Sequence, residues 1–216
     1  VAGFSILLKP NGVATFEFPH LLKLVNENQF DTIYHEHFSY LSLTALETIF
    51  KENGLQIFDV EEHTTHGGSL RLFAQRSDTG VQIVSEQVIK LRKREMDAGM
   101  NSDNFYKNFQ EKANIVKDDL LNFLIKAKQD GKKVVAYGAA AKGNTLLNYA
   151  GIRPDLLSYV VDKSPSKQGK YMPGSRIPIH TEQFLKDDKP DYVLILPWNL
   201  KSEVIKQLSY IKENGG

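Results

Sequence analysis

The sequence predicts an α/β fold in two successive parts, and three observations carry that expectation. Between Phe4 and Ala74 the chain reads as helix end, turn, strand, helix, strand, glycine turn, strand. From Lys133 onward, short apolar runs alternate with helical stretches, the pattern of a parallel sheet joined by right-handed crossovers. With 216 residues, 41% of them hydrophobic and 25% charged, the chain is long enough to bury one large core or two small ones. The two parts are expected to divide as residues 1–80 and 81–216.

In the first part, Phe4–Leu8 ends a helix, Lys9-Pro10-Asn11-Gly12 turns and Val13–Phe18 is a strand, a plain αβ connection. Ser42–Asn53 reads as a helix because Leu43, Leu46, Ile49 and Phe50 recur on one face. Ser42 is placed to cap it, although Ala45 leaves the full capping box absent, and Gly54 suits the position just past its end. Leu55–Val60 and Ser69–Ala74 follow as strands around His66-Gly67-Gly68, whose glycines permit a tight reversal.

The second part opens on Ser85–Met100, expected as a helix crowded with Lys90, Arg92, Lys93 and Arg94. A solvated charged face is the ordinary reading of such a run, and a contribution to diphosphate binding the functional one. After Asn101-Ser102-Asp103 a second helix is expected to run to about Asp130, with Phe105, Phe109, Ala113, Val116, Leu120, Phe123 and Ala127 on one stripe. Lys133–Gly138 is a buried-strand pattern, and the residues from Gly138 to Gly143 open a helix over Asn144–Ala150. Leu157–Val161 is a second strand ending at Asp162, Tyr192–Leu196 a third, and Leu200–Tyr210 a closing helix. The arrangement is a Rossmann-like parallel α/β domain.

Whether its first turn holds a ligand is open to three readings. A dinucleotide fingerprint needs glycine at the middle position so that the backbone can approach a pyrophosphate, and Asp162 falls where such folds place a ribose-binding acid. The middle position here is Ala140, whose methyl group obstructs that approach. A helix N-terminus with Lys142 beside it suits a single phosphate group of a substrate. That makes Gly138, Lys142, Gly143, Asn144 and Thr145 candidate substrate-binding residues. A tight βα turn kept only for packing is the plain alternative. Lys163–Gly174, expected as a mobile loop, and Trp198-Asn199 fall at the same strand ends, where ligands of open α/β sheets bind.

Composition narrows the partners. A net charge of +1 argues against a dedicated nucleic-acid binder. The absence of cysteine excludes disulfides and Cys-ligated zinc, and no metal site is expected. No apolar run is long enough to span a bilayer and no signal peptide is visible, which points away from membranes and toward the cytoplasm. The chain begins at Val1 rather than Met, as a fragment of a longer protein would.

The densest chemistry lies at Gln29–Tyr40, where Tyr34, His35, Glu36 and His37 follow one another. Such groups move protons near neutral pH once their surroundings tune them. The spacing is too short for the helical H-E-x-x-H zinc motif. On an extended segment His35 and His37 share a face and Glu36 points away. A surface cluster satisfied by hydrogen bonds is an equally compatible reading.

Four stretches in the same order, FDTIYHEHFSYLSLTAL with THGGSLR, AYGAAAKGNTLLNYAGI, VVDKSPSKQGKYMPG and YVLILPWN, resemble the S-adenosylmethionine (SAM)-dependent sugar C-methyltransferases over nearly the whole chain. These act on nucleotide-linked keto-deoxysugars. The resemblance implies the closing half of a class I methyltransferase sheet, with Leu8-Lys9-Pro10-Asn11-Gly12 similar to the turn before its fifth strand, followed by the Rossmann-like domain. It implies a zinc lobe and most of a SAM lobe outside this chain. Residues 1–76 supply no glycine-rich βα turn, so the SAM site is expected to be incomplete here and the fragment inactive alone. By the same resemblance His37 is the base that enolises the sugar ketone, Glu36 orients it, Tyr34 donates to the substrate, His66 is a weaker candidate and His35 is structural. A nicotinamide-dinucleotide-binding module and a non-catalytic nucleotide-sugar-binding module remain the alternatives. Self-association is expected through the outer side of Val13–Phe18, with Val13, Phe16 and Phe18 uncovered.

Overall fold

The computed structural model describes residues 1–213. By contacts it divides into two compact units, Val1–Phe30 with His37–Phe109, and Asp31–Glu36 with the chain from Gln110 onward. This division falls later than residue 80; a domain limit at 80/81 remains a proposal.

The first unit runs α1 (Ala2–Leu7), β1 (Val13–Pro19), α2 (Leu21–Asn26), α3 (Leu43–Glu52), β2 (Leu55–His63), β3 (Ser69–Arg76), α4 (Glu86–Asp97) and α5 (Asp103–Tyr106). Its sheet has the order β1-β3-β2, each neighbour antiparallel. The expected hairpin forms, with a 3₁₀ turn at Thr65–Gly67 between β2 and β3. As expected, Ser42 Oγ accepts from the Ala45 amide, and Gly54 takes φ +71° just past α3. Leu43, Leu46 and Phe50 of α3 and Val88 and Leu91 of α4 cover one face of the sheet.

Alternation along β1 corrects one expectation. Ala14, Phe16 and Phe18 face that core, whereas Val13 shares the outer face with Thr15 and Glu17. Nor is Phe16 uncovered: its ring lies 4.7 Å from Phe4 and 5.0 Å from Phe50. On the outer face Glu17 pairs with Arg71 across the β1–β3 register.

The second unit runs α6 (Phe109–Gln129), β4 (Val134–Tyr137), α7 (Ala141–Tyr149), β5 (Val160–Val161), β6 (Ile179–His180), α8 (Glu182–Asp188), β7 (Tyr192–Ile195), α9 (Lys201–Gln207) and α10 (Tyr210–Glu213). Its four strands are parallel in the order β6-β5-β4-β7. Leu124 and Leu147, from α6 and α7, pack on one face, and Leu185 and Val204, from α8 and α9, on the other.

Four expected elements differ. The long second helix breaks at Lys107–Asn108, where Asn108 takes φ +69°, so Phe105 lies on the separate α5. The second strand shrinks to Val160–Val161 because Leu156 and Leu157 both bond back to the Arg153 carbonyl. The closing helix divides into α9 and α10. Beyond Lys163 the loop folds back, with Met172 on Ile177 and Lys170 on Ile179 through the backbone, and the unforeseen β6 pairs beside β5.

The cations of α4 are taken up within the first unit. Lys90 pairs with Glu86, Arg92 with Glu47, Lys93 with Asp97 and Arg94 with Glu62. That is the solvated, salt-bridged face rather than a diphosphate clamp. The buried acid of the same helix does more. Glu95 accepts from the Leu43 and Thr44 amides, each at 2.8 Å, from Thr44 Oγ1 at 2.6 Å, and shares a 2.8 Å bond with His20 Nε2. It therefore caps α3 from another helix, placing a carboxylate against the free amides of its first turn.

Burial raises the pKa of Glu95, but the bonds from His20, Thr44 and Leu43 outweigh it and the net displacement is downward from 4.5. A depressed carboxyl contributes stability above its unfolded pKa and loses it as pH falls through the folded value. Glu95→Ala is expected to cost about 1–3 kcal/mol, the scale for leaving buried donors without their acceptor. Urea unfolding of both chains should show the difference shrinking as the pH is taken below 4.5.

Candidate functional site

The turn between β4 and α7 is built by exclusion of side chains. Gly138 takes φ +96°, and a Cβ there would meet Pro197 Cδ at 2.5 Å. A Cβ on Gly143, in the first turn of α7, would meet Leu196 Cβ at 2.7 Å. These glycines let the turn and helix press against the segment leaving β7. Asp162 then fixes the turn from the end of β5. Its Oδ2 accepts from the Ala139 amide at 2.8 Å and from Lys167 Nζ at 3.1 Å, and its Oδ1 from the Ser164 amide at 2.8 Å. Both oxygens are thus engaged in holding loops, which is a packing role for the residue placed where a ribose acid would be.

Of the five candidate binding residues, Lys142 carries the chemistry. Its side chain is 7% exposed, with Nζ 4.3 Å from the Trp198 ring centroid and donating to Asn199 Oδ1 at 3.2 Å. Burial lowers its pKa, and the nearby Asp31 charge opposes that only in part. Asp31, itself 5% exposed, accepts from Trp198 Nε1 at 2.7 Å. Its pKa is raised by burial, against the pull of Trp198 and Lys142. Asn144 and Thr145 bond mainly within α7: Thr145 Oγ1 donates to the Ala141 carbonyl, and Asn144 accepts from Asn148.

A family profile described as the C-methyltransferase C-terminal domain matches residues 64–216, which include the turn, Lys142 and Trp198. The chain belongs to this C-methyltransferase family. C-methyltransferase NovU of Streptomyces niveus is 38% identical to it over 214 residues, 99% of this chain and 51% of that protein. The chain thus spans about half the length of the curated relative it matches. The α/β architecture expected of such a C-terminal portion, with one antiparallel and one parallel sheet, is the one observed.

In this C-methyltransferase chain the Tyr34–His37 segment precedes the profile match but lies within a chain aligned to NovU almost throughout. It is not extended. Phe30–Thr32 is a 3₁₀ turn and Tyr34–Glu36 a second bend, so strand alternation does not govern where His35, Glu36 and His37 point. Tyr34, His35 and Glu36 group with the second unit and His37 with the first. The His37 ring lies edge-on to Tyr40 with centroids 6.5 Å apart. His66 is exposed, in a left-handed conformation at φ +55° on the hairpin turn.

Sequence reasoning did not single out Asp31; it placed Trp198-Asn199 at the strand ends beside the turn, where both meet Lys142, but without naming that contact. The available signals were the lone tryptophan of the chain and an acid in the apolar turn before Tyr34. Among the described residues, no group of three His, Cys, Asp or Glu could hold a metal ion. No helix among them is long and apolar enough to cross a membrane.

Replacing Gly143 by alanine is expected to destabilise the second unit by about 1–3 kcal/mol, because the added methyl must displace Leu196. Gly138→Ala should cost more, since left-handed strain adds to the clash with Pro197. Urea unfolding followed by circular dichroism gives both numbers, and equal stability with the parent would refute the close-approach argument.

Proposed function

We propose that the longer protein containing this chain methylates a carbon of a nucleotide-linked keto-deoxysugar, and that this chain supplies the base and the phosphate seat. The observation that carries the reading is Lys142, a buried ammonium whose surroundings disfavour its charge at the mouth of a glycine-built turn. A phosphate group there would lie beside the ammonium and the first amides of α7. The match to a C-methyltransferase domain and to NovU supports the reaction class.

Carbon methylation next to a ketone needs an enolate. In this proposal His37 removes the α-proton to its ring nitrogen, the C–H electrons become the enolate, and Glu36 orients the imidazole. Tyr34 donates to the substrate, and His66 is a secondary contact. SAM supplies the electrophilic methyl group in such reactions. The first unit offers no glycine-rich βα turn among the described residues, so this chain's residues do not fit that cofactor and no step is assigned through it. Cysteine-free composition fits a cytoplasmic setting.

One outcome tests the reading. In the longer protein His37→Ala should lower methyl transfer by about 10²–10⁴-fold while the affinity for SAM stays near normal. Turnover close to the parent would move the base elsewhere.

A separate proposal concerns β1, whose neighbour among the described residues is β3 alone, leaving backbone groups on its other side for strand pairing. We propose self-association of the 216-residue chain through that side of β1. Gel filtration with light scattering should show a mass above the monomer's 24.4 kDa, and a monodisperse monomer would exclude it.

A further inference from the structure

The backbone places Lys142, but other side chains aim it. A lysine at the second position of a helix has a long flexible stem, and its ammonium can sweep a wide arc. Here it rests over the face of Trp198, which can rotate unless something holds the indole edge. Asp31 does so, with its Oδ2 2.7 Å from the indole nitrogen. Its carboxylate has an electrostatic cost for anion binding: a buried negative charge near Lys142 would repel a phosphate and compete for the ammonium. Its presence at 5% exposure is explained by what it does to the indole.

We propose that Asp31 and Trp198 are positioning residues for Lys142, the carboxylate fixing the indole and the indole face seating the ammonium at the β4–α7 turn. The proposal rests on the reading of that turn as a phosphate seat and adds how the seat is kept in place. The ligand chemistry is the diphosphate of a nucleotide. Asp31 also begins the segment that carries Tyr34 and Glu36, so one hydrogen bond ties that segment to the seat.

The sign of one variant separates positioning from simple electrostatics. Removing a negative charge near an anion site should tighten anion binding; removing a positioning group should weaken it. Titration calorimetry of the 216-residue chain with inorganic pyrophosphate and with uridine diphosphate is expected to show about tenfold weaker binding for Asp31→Ala. Asp31→Asn, whose amide oxygen still accepts from the indole, should bind at least as well as the parent. Trp198, the only tryptophan, gives a readout that needs no ligand: in Asp31→Ala its emission should shift to longer wavelength and iodide quenching should rise.

Parent-like or tighter binding in Asp31→Ala overturns the proposal, as does an Asn variant as weak as the Ala variant. If Lys142→Ala binds pyrophosphate like the parent, or the parent does not bind, the phosphate reading fails and the positioning function with it. Tryptophan emission unchanged in Asp31→Ala would overturn the indole clamp itself, whatever the calorimetry gives.

Discussion

An ion taken out of water must find its compensation within the protein, and this chain resolves that constraint in two opposite ways. Glu95 is surrounded by donors: two helix amides, a hydroxyl and an imidazole, so that despite burial its charged form is favoured. The result is a fixed joint between α3 and α4, the two helices that cover one face of the first unit's sheet. Lys142 is buried against an indole face and a neutral amide oxygen, and its charged form is disfavoured. One buried ion is completed by the fold. The other stays buried with its charged form disfavoured, a perturbation more typical of a binding group than of a structural one.

The glycines of the second unit make the second case possible. Gly143 lets α7 approach the segment after β7 closely enough for Leu196 to fill the space a methyl would occupy. That approach brings the 198–199 pair beside the first turn of α7, and so beside Lys142. Asp162, which in a dinucleotide fold would reach for a ribose, here ties together the two loops that frame the turn. Thus, of the two positions that would read a dinucleotide, Ala140 carries an obstructing methyl and Asp162 is given to holding loops.

Local signals carried most of the fold. Ser42 and Gly54 bound α3 because capping chemistry is decided within four residues, and Val13–Pro19 and the His66 reversal were readable for the same reason. The elements that escaped are those whose limits are set by bonds to a distant or unexpected backbone group. Leu157 reads as strand but bonds to Arg153 in a turn, and Ile179 becomes a strand only because β5 lies next to it. The site was legible as a list of residues and not as an arrangement. Lys142 meets Asn199 across 57 positions and Trp198 meets Asp31 across 167, so no periodicity could have joined them. The facing of His35 and His37 held only for an extended segment, whereas Tyr34–Glu36 is itself a bend that follows the 3₁₀ turn of Phe30–Thr32.

The pairing of the first sheet also bears on how that unit comes together in time. β2 and β3 are adjacent in sequence, so their closure needs only a short loop, and the Glu61–Arg71 register forms with little chain entropy to overcome. β1 must instead find β3 across the whole of α2, α3 and β2, pairing Glu17 with Arg71 some fifty positions away. Sequence separation thus predicts that the hairpin closes first and that β1 docks later. In that order of events β3 would expose, until β1 docks, the row of backbone groups that β1 covers in the folded chain.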